Sequence, residues 1–355
     1  PAGPRTATRM LPQVPTGISK TDYAEEFAIF LKERSPDTPF FFWYGALEPH
    51  LPYDQGAGRK AGKNPNRVVL PEYFPDHKVV RNDFLDMFTE IEHFDRHLGR
   101  MIQLLKDSGE LENTLIVVTG DHGHPLPRAK ATLYDAGTHV PLAICWGKQI
   151  PAGRTVSDFV SLADLAATFL DAAGVTAPEN LPSRSLMPIL RSEKSGRVDA
   201  SRDRVFTARE RHSSARPKNL GYPSRAVQTD EYLYIRNFAP DRWPAGDPVT
   251  ADGKTAFHDI DPSPTKSLLL NDPAFTEYRD LATAKRPAEE LYHPPTDPGN
   301  RRNLINDPRH AEAREKLADV LDRYLRNTGD PRVTGNGEIF ESYPRYSSIR
   351  RFPGN

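Results

Sequence analysis

The chain has 355 residues, with 47 Lys and Arg against 48 Asp and Glu and a net charge of −1. That length allows a large core and two lobes, and the charge balance excludes the basic footprint of a nucleic-acid binder. No run of about 18 apolar residues occurs, which excludes a membrane-spanning helix.

The opening PAGPRTATRM has no initiator methionine and no apolar signal core. It reads as a start partway through a longer protein, with any targeting segment upstream. Residues 21–34 (TDYAEEFAIFLKER) place Tyr23, Phe27, Phe30 and Leu31 on one helical face, with Thr21 as N-cap. PFFFWYGAL (39–47) is a continuous apolar run between breakers, which predicts a strand buried on both faces and ending in the loop EPHLPYD. From Val80 to Lys106 the stripe Phe84, Phe88, Ile91, Leu98, Ile102 and Leu105 predicts a long amphipathic helix. TLIVVT (114–119) and VPLAICW (140–146) are further buried-strand candidates, and Cys145, the single cysteine, reads as a small buried hydrophobe. SLADLAATFLDAAGV predicts a helix with a capping box from Ser161 to Asp164.

Alternating strands and helices predict an α/β domain over residues 1–195 with a mostly parallel sheet flanked by helices. From 196 to 355 the pattern shifts to short strands at RVFTA, RAVQ, YLYIRN and EELYH, with a last helix opened by Asp307-Pro308. That is a smaller C-terminal α+β lobe, a short antiparallel sheet backed by a helix. Its long Pro/Gly/Asp-rich stretch, about 239–287, reads as loop.

The chemistry-bearing residues gather off strand ends, where ligands collect in open α/β sheets. TGDHGHPLPRAK (119–130) follows a strand directly. Asp121 and His122 offer a hard oxygen and a nitrogen to a divalent metal, yet two adjacent donors do not complete a site. Alone they are equally compatible with a solvated acid and a surface or capping histidine. Arg128 and Lys130 suit an anion such as sulfate, phosphate or carboxylate, or are ordinary solvated charges. His50 in EPH is a candidate proton donor or anion ligand. His93 and His97 stand at i, i+4 without the HExxH order, and read as a polar helix face.

Taken in order, these strings resemble the sulfatase family of the alkaline-phosphatase-like superfamily. The D-H-G after a strand, then Lys130, Tyr134, Asp135 and Gly137, is similar to the family's metal strand and its basic, Tyr- and Gly-bearing sequel. PFFFWYGALEPHLPYD, SRSLMPIL, YPSRAVQTDEYLYIRN and ELYHPPTDPGNRRNLINDP are similar to further family segments. The PxPxxK and YPxRAVQ details look most like N-sulfoglucosamine sulfohydrolases and their bacterial relatives. The resemblance implies Asp121 as a Ca²⁺ ligand with His122 beside it, where Asn is commoner. It implies Lys130 between sulfate and nucleophile, His50 as sulfate ligand or proton donor, and His124, Arg128 and His212 as substrate contacts.

It also implies a sulfated carbohydrate substrate, export from the cell, and attack on sulfur by a hydrated formylglycine. The formylglycine motif, C/S-x-P-S/A-R after an Asp pair, is absent. NLPSR and GYPSR carry Asn180 and Gly221 in the reactive position, and neither can become an aldehyde. The expectation is therefore that an N-terminal part of the same enzyme completes the site. His122 also keeps open a phosphoryl or phosphonate hydrolase with Mn²⁺ or Zn²⁺, and the absent motif keeps open a non-catalytic glycan binder.

Overall fold

The computed structural model describes residues 8–35, 38–249, 253 and 257–344. They form two compact units, Pro1–Thr114 with Pro262–Pro273, and Leu115–Asp261 with Ala274–Asn355. Among the described residues no helix is long and apolar enough to cross a membrane.

In the first unit, α1 (Tyr23–Glu33) is capped by Asp22, which accepts from Glu25 N at 3.1 Å, one residue later than Thr21. The long helix α2 (Lys78–Asp107) buries Val80, Phe84, Met101 and Leu105, but between them it also buries Asp83, Asp86, Glu90, His93 and His97. His93 and His97 are therefore not on a solvated face. The backbone N–H of Ala24 on α1 donates to His97 Nδ1 at 3.3 Å, and the Tyr23 ring meets His97 edge-on. The histidines receive the start of α1.

Residues 39–47 are extended but carry no sheet ladder among the described residues. Phe40 and Phe42 pack on Phe30 and Phe27, and Tyr44 stacks on Phe94 at 4.7 Å. Phe41 and Trp43 on the opposite side are 67% and 73% exposed. The expected strand buried on both faces is instead buried on one, because side chains of α1 and α2 cover a single face.

In the second unit, β1 (Ile116–Thr119) and β2 (Leu142–Cys145) pair antiparallel, Ile116 opposite Cys145 and Thr119 opposite Leu142. The mostly parallel sheet is thus corrected for the described residues. The segment between the two strands holds only a four-residue helix, Asp135–Thr138, and folds back as a loop in place of the crossover helix that usually joins parallel strands. The alternation of β2 turns Cys145 outward, so it is exposed rather than buried. Before α3 (Asp164–Ala172) the anticipated box forms only by half: Ser161 N donates to Asp164 Oδ2 at 3.2 Å, but Ser161 Oγ accepts from Ala163 N, and Ala163, not Ser161, is the N-cap.

The antiparallel sheet β3 (Arg204–Arg209), β4 (Ser224–Thr229), β5 (Leu233–Asn237) and β6 (Glu289–Tyr292) runs in that spatial order. One face, Val227, Tyr234 and Leu291, packs on Leu317, Leu321 and Leu325 of α4 (Ala311–Asn327). The other face, Ala226, Leu233, Ile235 and Tyr292, packs on Leu133 and Tyr134. Strand alternation thus gives the sheet two apolar faces, and the second seats the loop that leaves β1.

Candidate active site

The loop from Gly120 to His139 is closed by backbone bonds from Gly123 N to Gly137 O and from Lys130 N to His124 O, both 3.1 Å. Arg128 and Ala131 take positive φ, 72° and 61°, within its tightest bend. Gly123 is required by proximity: a Cβ there would lie 1.7 Å from Ala136 O. Gly123→Ala is expected to cost about 2 kcal/mol or more, as overpacked sites do, read as a lower urea midpoint of the intact chain.

Asp121 and His122 stand together at the end of β1, with His122 Nε2 3.7 Å from Asp121 Oδ2 and the Asp121 side chain 88% exposed. His122 Nδ1 lies 2.7 Å from Gly123 O, an arrangement in which Nδ1 carries the proton and Nε2 is the basic nitrogen. The pair suits a divalent cation in donor type. No group of three or more His, Cys, Asp or Glu able to hold a metal occurs among the described residues. Two donors do not meet the six or more oxygens that Ca²⁺ takes, so these residues do not by themselves fit the ion.

Beyond them the loop turns inward. Lys130 is buried and its Nζ lies 2.9 Å from Oδ2 of Asp261, which is itself fully buried. The Arg128 guanidinium sits 4.1 Å above the Tyr134 ring and donates to the carbonyls of Leu281, Gly299 and Asn300. Tyr134 Oη donates to Glu290 Oε2 at 2.9 Å. These contacts fasten the loop to the sheet and to the segment before and after β6. Burial pushes the His124 imidazole down to about 4, so it is neutral at neutral pH.

His212 Nδ1 lies 3.3 Å from Asp259 Oδ1. Burial alone would raise the Asp259 carboxyl, but Arg209, His212, Arg216 and Ser213 together hold it far below the ordinary range. His50 belongs to the first unit and is exposed, its backbone N–H bonded to Leu47 O at 2.8 Å and Nδ1 2.5 Å from Leu51 O. The second unit thus brings Lys130 and Arg128 to one cavity, with Arg209, Asp259 and Arg286 in its lining. Asp259 and Asp261 escape a reading of the sequence, since they lie in the polar stretch that reads as loop and nothing local marks them.

The fold is similar to that of solved sulfatases of alkaline-phosphatase-like fold, among them a putative sulfatase of Bacteroides fragilis with a TM-score of 0.60 at 17% identity over 88% of this chain and 59% of that one. The phosphonate monoester hydrolase of Silicibacter pomeroyi shares it, with a TM-score of 0.60 at 19% identity over 92% of this chain and 66% of that one. A family model described as Sulfatase matches residues 4–175, and one described as N-sulphoglucosamine sulphohydrolase, C-terminal, matches residues 120–248. Residues 4–248 are thus matched, in two overlapping segments, by models of the sulfatase family.

The chain is 28% identical over 306 residues to an ulvan-active sulfatase of Formosa agariphila, covering 84% of this chain and 47% of that protein. It is 28% identical over 345 residues to the N-sulphoglucosamine sulphohydrolase of Homo sapiens, covering 87% and 65%. The chain therefore spans between about half and two thirds of the length of these relatives.

Proposed function

We propose that this chain supplies one wall of a sulfatase active site that hydrolyses sulfate esters or sulfamates on a sulfated carbohydrate, N-sulfoglucosamine among the candidates. The observation that supports it most is the β1 loop, which within the matched segments sets Asp121 and His122 at a strand end and holds Lys130 at its far side. Lys130 binds the sulfate oxygens, and its ammonium offsets the charge that develops on them. Its pairing with Asp261 means that sulfate joins or displaces a buried carboxylate, so binding favours a strongly acidic anion over a neutral sugar. His50 protonates the departing oxygen or nitrogen. His124, Arg128 and His212 are proposed substrate contacts.

Asp121 and His122 are two ligands of a divalent ion, Ca²⁺ by resemblance, whose remaining donors come from another part of the enzyme. The nucleophile, a formylglycine, comes from that same part, since no C/S-x-P-S/A-R motif occurs in these 355 residues.

The test is calorimetric binding of glucosamine N-sulfate and unsulfated glucosamine to the purified chain, alongside an assay with an aryl sulfate and Ca²⁺. The expected result is binding of the sulfated sugar only, weakened at least tenfold in Lys130→Arg, with no turnover. Equal binding of the two sugars removes the sulfate assignment, and metal-dependent turnover shows that the chain carries its own nucleophile.

A further inference from the structure

The cavity beside Lys130, about 40 Å³, has a charge pattern that the sulfatase reading does not use. Its lining carries Arg128, Lys130, Arg209 and Arg286 against Asp259 and Glu290. Both carboxylates are already well supplied. Glu290 accepts from Asn237 Nδ2 at 2.8 Å, Tyr134 Oη at 2.9 Å and Tyr292 Oη at 2.6 Å. Asp259 accepts from Arg209 at 2.7 Å, Arg216 at 3.0 Å and Ser213 Oγ at 2.6 Å.

The guanidinium groups of Arg128 and Arg286, by contrast, donate to main-chain carbonyls, Arg286 to those of Asp280 and Leu281. Carbonyls satisfy donors but do not neutralise charge. Counting Arg216, Asp261 and Asp247, which faces Arg216, with the lining residues, the group has five cations and four anions among the described residues. A buried excess of positive charge is costly unless something offsets it.

Three donors in this lining also lack an acceptor in the protein: Arg209 Nε, Arg286 Nε and Tyr222 Oη. The Arg209 side chain is 10% exposed and Tyr222 is 3% exposed, so bulk water does not serve them. Burial raises the Tyr222 phenol well above its ordinary value, so it stays a donor. Buried donors of this kind call for a partner. A water molecule accepts about two hydrogen bonds and brings two protons that need acceptors of their own. An anion accepts all three and brings none.

We propose that this cavity binds one small monovalent inorganic anion of chloride size, held by Arg209 Nε, Arg286 Nε and Tyr222 Oη. The volume excludes a sugar, so the sulfated substrate of the proposed function stays outside it, and the three unmatched donors, not the Lys130 ammonium, form the ligand set. The bound ion neutralises Arg209 of β3 and Arg286 before β6, and so rigidifies the floor on which Tyr134 rests.

Thermal unfolding of the full chain in chloride, bromide, sulfate and gluconate at constant ionic strength tests this. The expected result is a saturable rise in melting temperature with chloride and bromide, absent with gluconate, while any rise with sulfate, which Lys130 binds, is unchanged in Tyr222→Phe. Tyr222→Phe, which removes one donor and keeps the ring, should raise the chloride midpoint about three- to tenfold, the worth of one hydrogen bond. A crystal soaked in bromide should show an anomalous peak between Arg209 and Arg286. Equal shifts with gluconate reduce the effect to ionic strength, a sulfate shift weakened by Tyr222→Phe as much as the chloride shift overturns the size class, and a bromide soak with no peak assigns the cavity to water.

Discussion

Lys130→Met is expected to lower the stability of the chain by about 3–5 kcal/mol, the range seen when one partner of a buried ion pair is removed. The reason lies with the residue left behind. Asp261 is fully buried, and its Oδ2 faces Lys130 Nζ at 2.9 Å. Without the ammonium it must stay charged in a poor environment or take a proton at a cost. Urea unfolding of the single variant and of Lys130→Met/Asp261→Asn separates the two contributions. The double variant should recover most of the loss, because the pair as a whole is worth far less than either half left alone. If the double variant is as unstable as the single, the penalty comes from packing and not from charge. The folded double variant also tests function, since it should retain its melting behaviour while losing affinity for glucosamine N-sulfate.

Much of this arrangement is legible in the chain. Strict alternation in RAVQ and YLYIRN sends Val227 and Tyr234 to one face, Ala226, Leu233 and Ile235 to the other, and the sheet is built that way. The strand leading into the GDHG turn is legible in its apolar run, whereas the expected roles of Asp121, His122 and Lys130 come from the family resemblance and not from their residue types alone. The partner of that lysine is not legible. Asp261 lies 131 residues on, in a stretch whose Pro and Asp content looks the same whether an acid is solvated or buried. Pairing at such separation leaves no periodic trace.

Two departures from the sequence expectation share a different origin. Apolar runs point to the interior, yet Cys145, Phe41 and Trp43 are exposed because alternation in an extended chain with one covered face must turn every second residue outward. Charged and histidine positions on α2 point to solvent, yet Asp83, Asp86, Glu90, His93 and His97 are buried. Hydrophobic periodicity finds the apolar stripe only in part, with Phe84 and Leu105 buried but Ile91 41% exposed, and it is blind to a second face that is buried by hydrogen bonding. Asp86 shows how this works: its two oxygens accept from Gly56 N at 2.9 Å and Gly58 N at 2.8 Å.

That buried acidic face makes the stability of the first unit depend on pH, and Glu90 is the residue that should dominate. Glu90 is 2% exposed and its Oε2 has no hydrogen-bond partner. Burial first, then the charges of Glu48 and Asp86, push its carboxyl up to about 8. Asp83, bonded by Thr265 N at 2.7 Å, is pushed up to about 6, mainly by burial. In the unfolded chain a glutamate ionises near its ordinary value of 4.5, whereas folded Glu90 keeps its proton to about 8. Between those values the unfolded state binds fewer protons, so stability falls as pH rises.

His93 and His97 act in the opposite direction, since burial lowers both and acid therefore favours unfolding through them. Glu90→Gln isolates the carboxylate from that background. Its stability gain over the parent should be near zero at pH 4 and grow to about 2–4 kcal/mol by pH 8, because each tenfold difference in proton affinity between the folded and unfolded chain is worth about 1.4 kcal/mol. Urea denaturation of both proteins at a series of pH values across that window reads the difference directly. A gain that stays constant with pH would mean that Glu90 is already ionised when folded, with a cation beside it that offsets the burial.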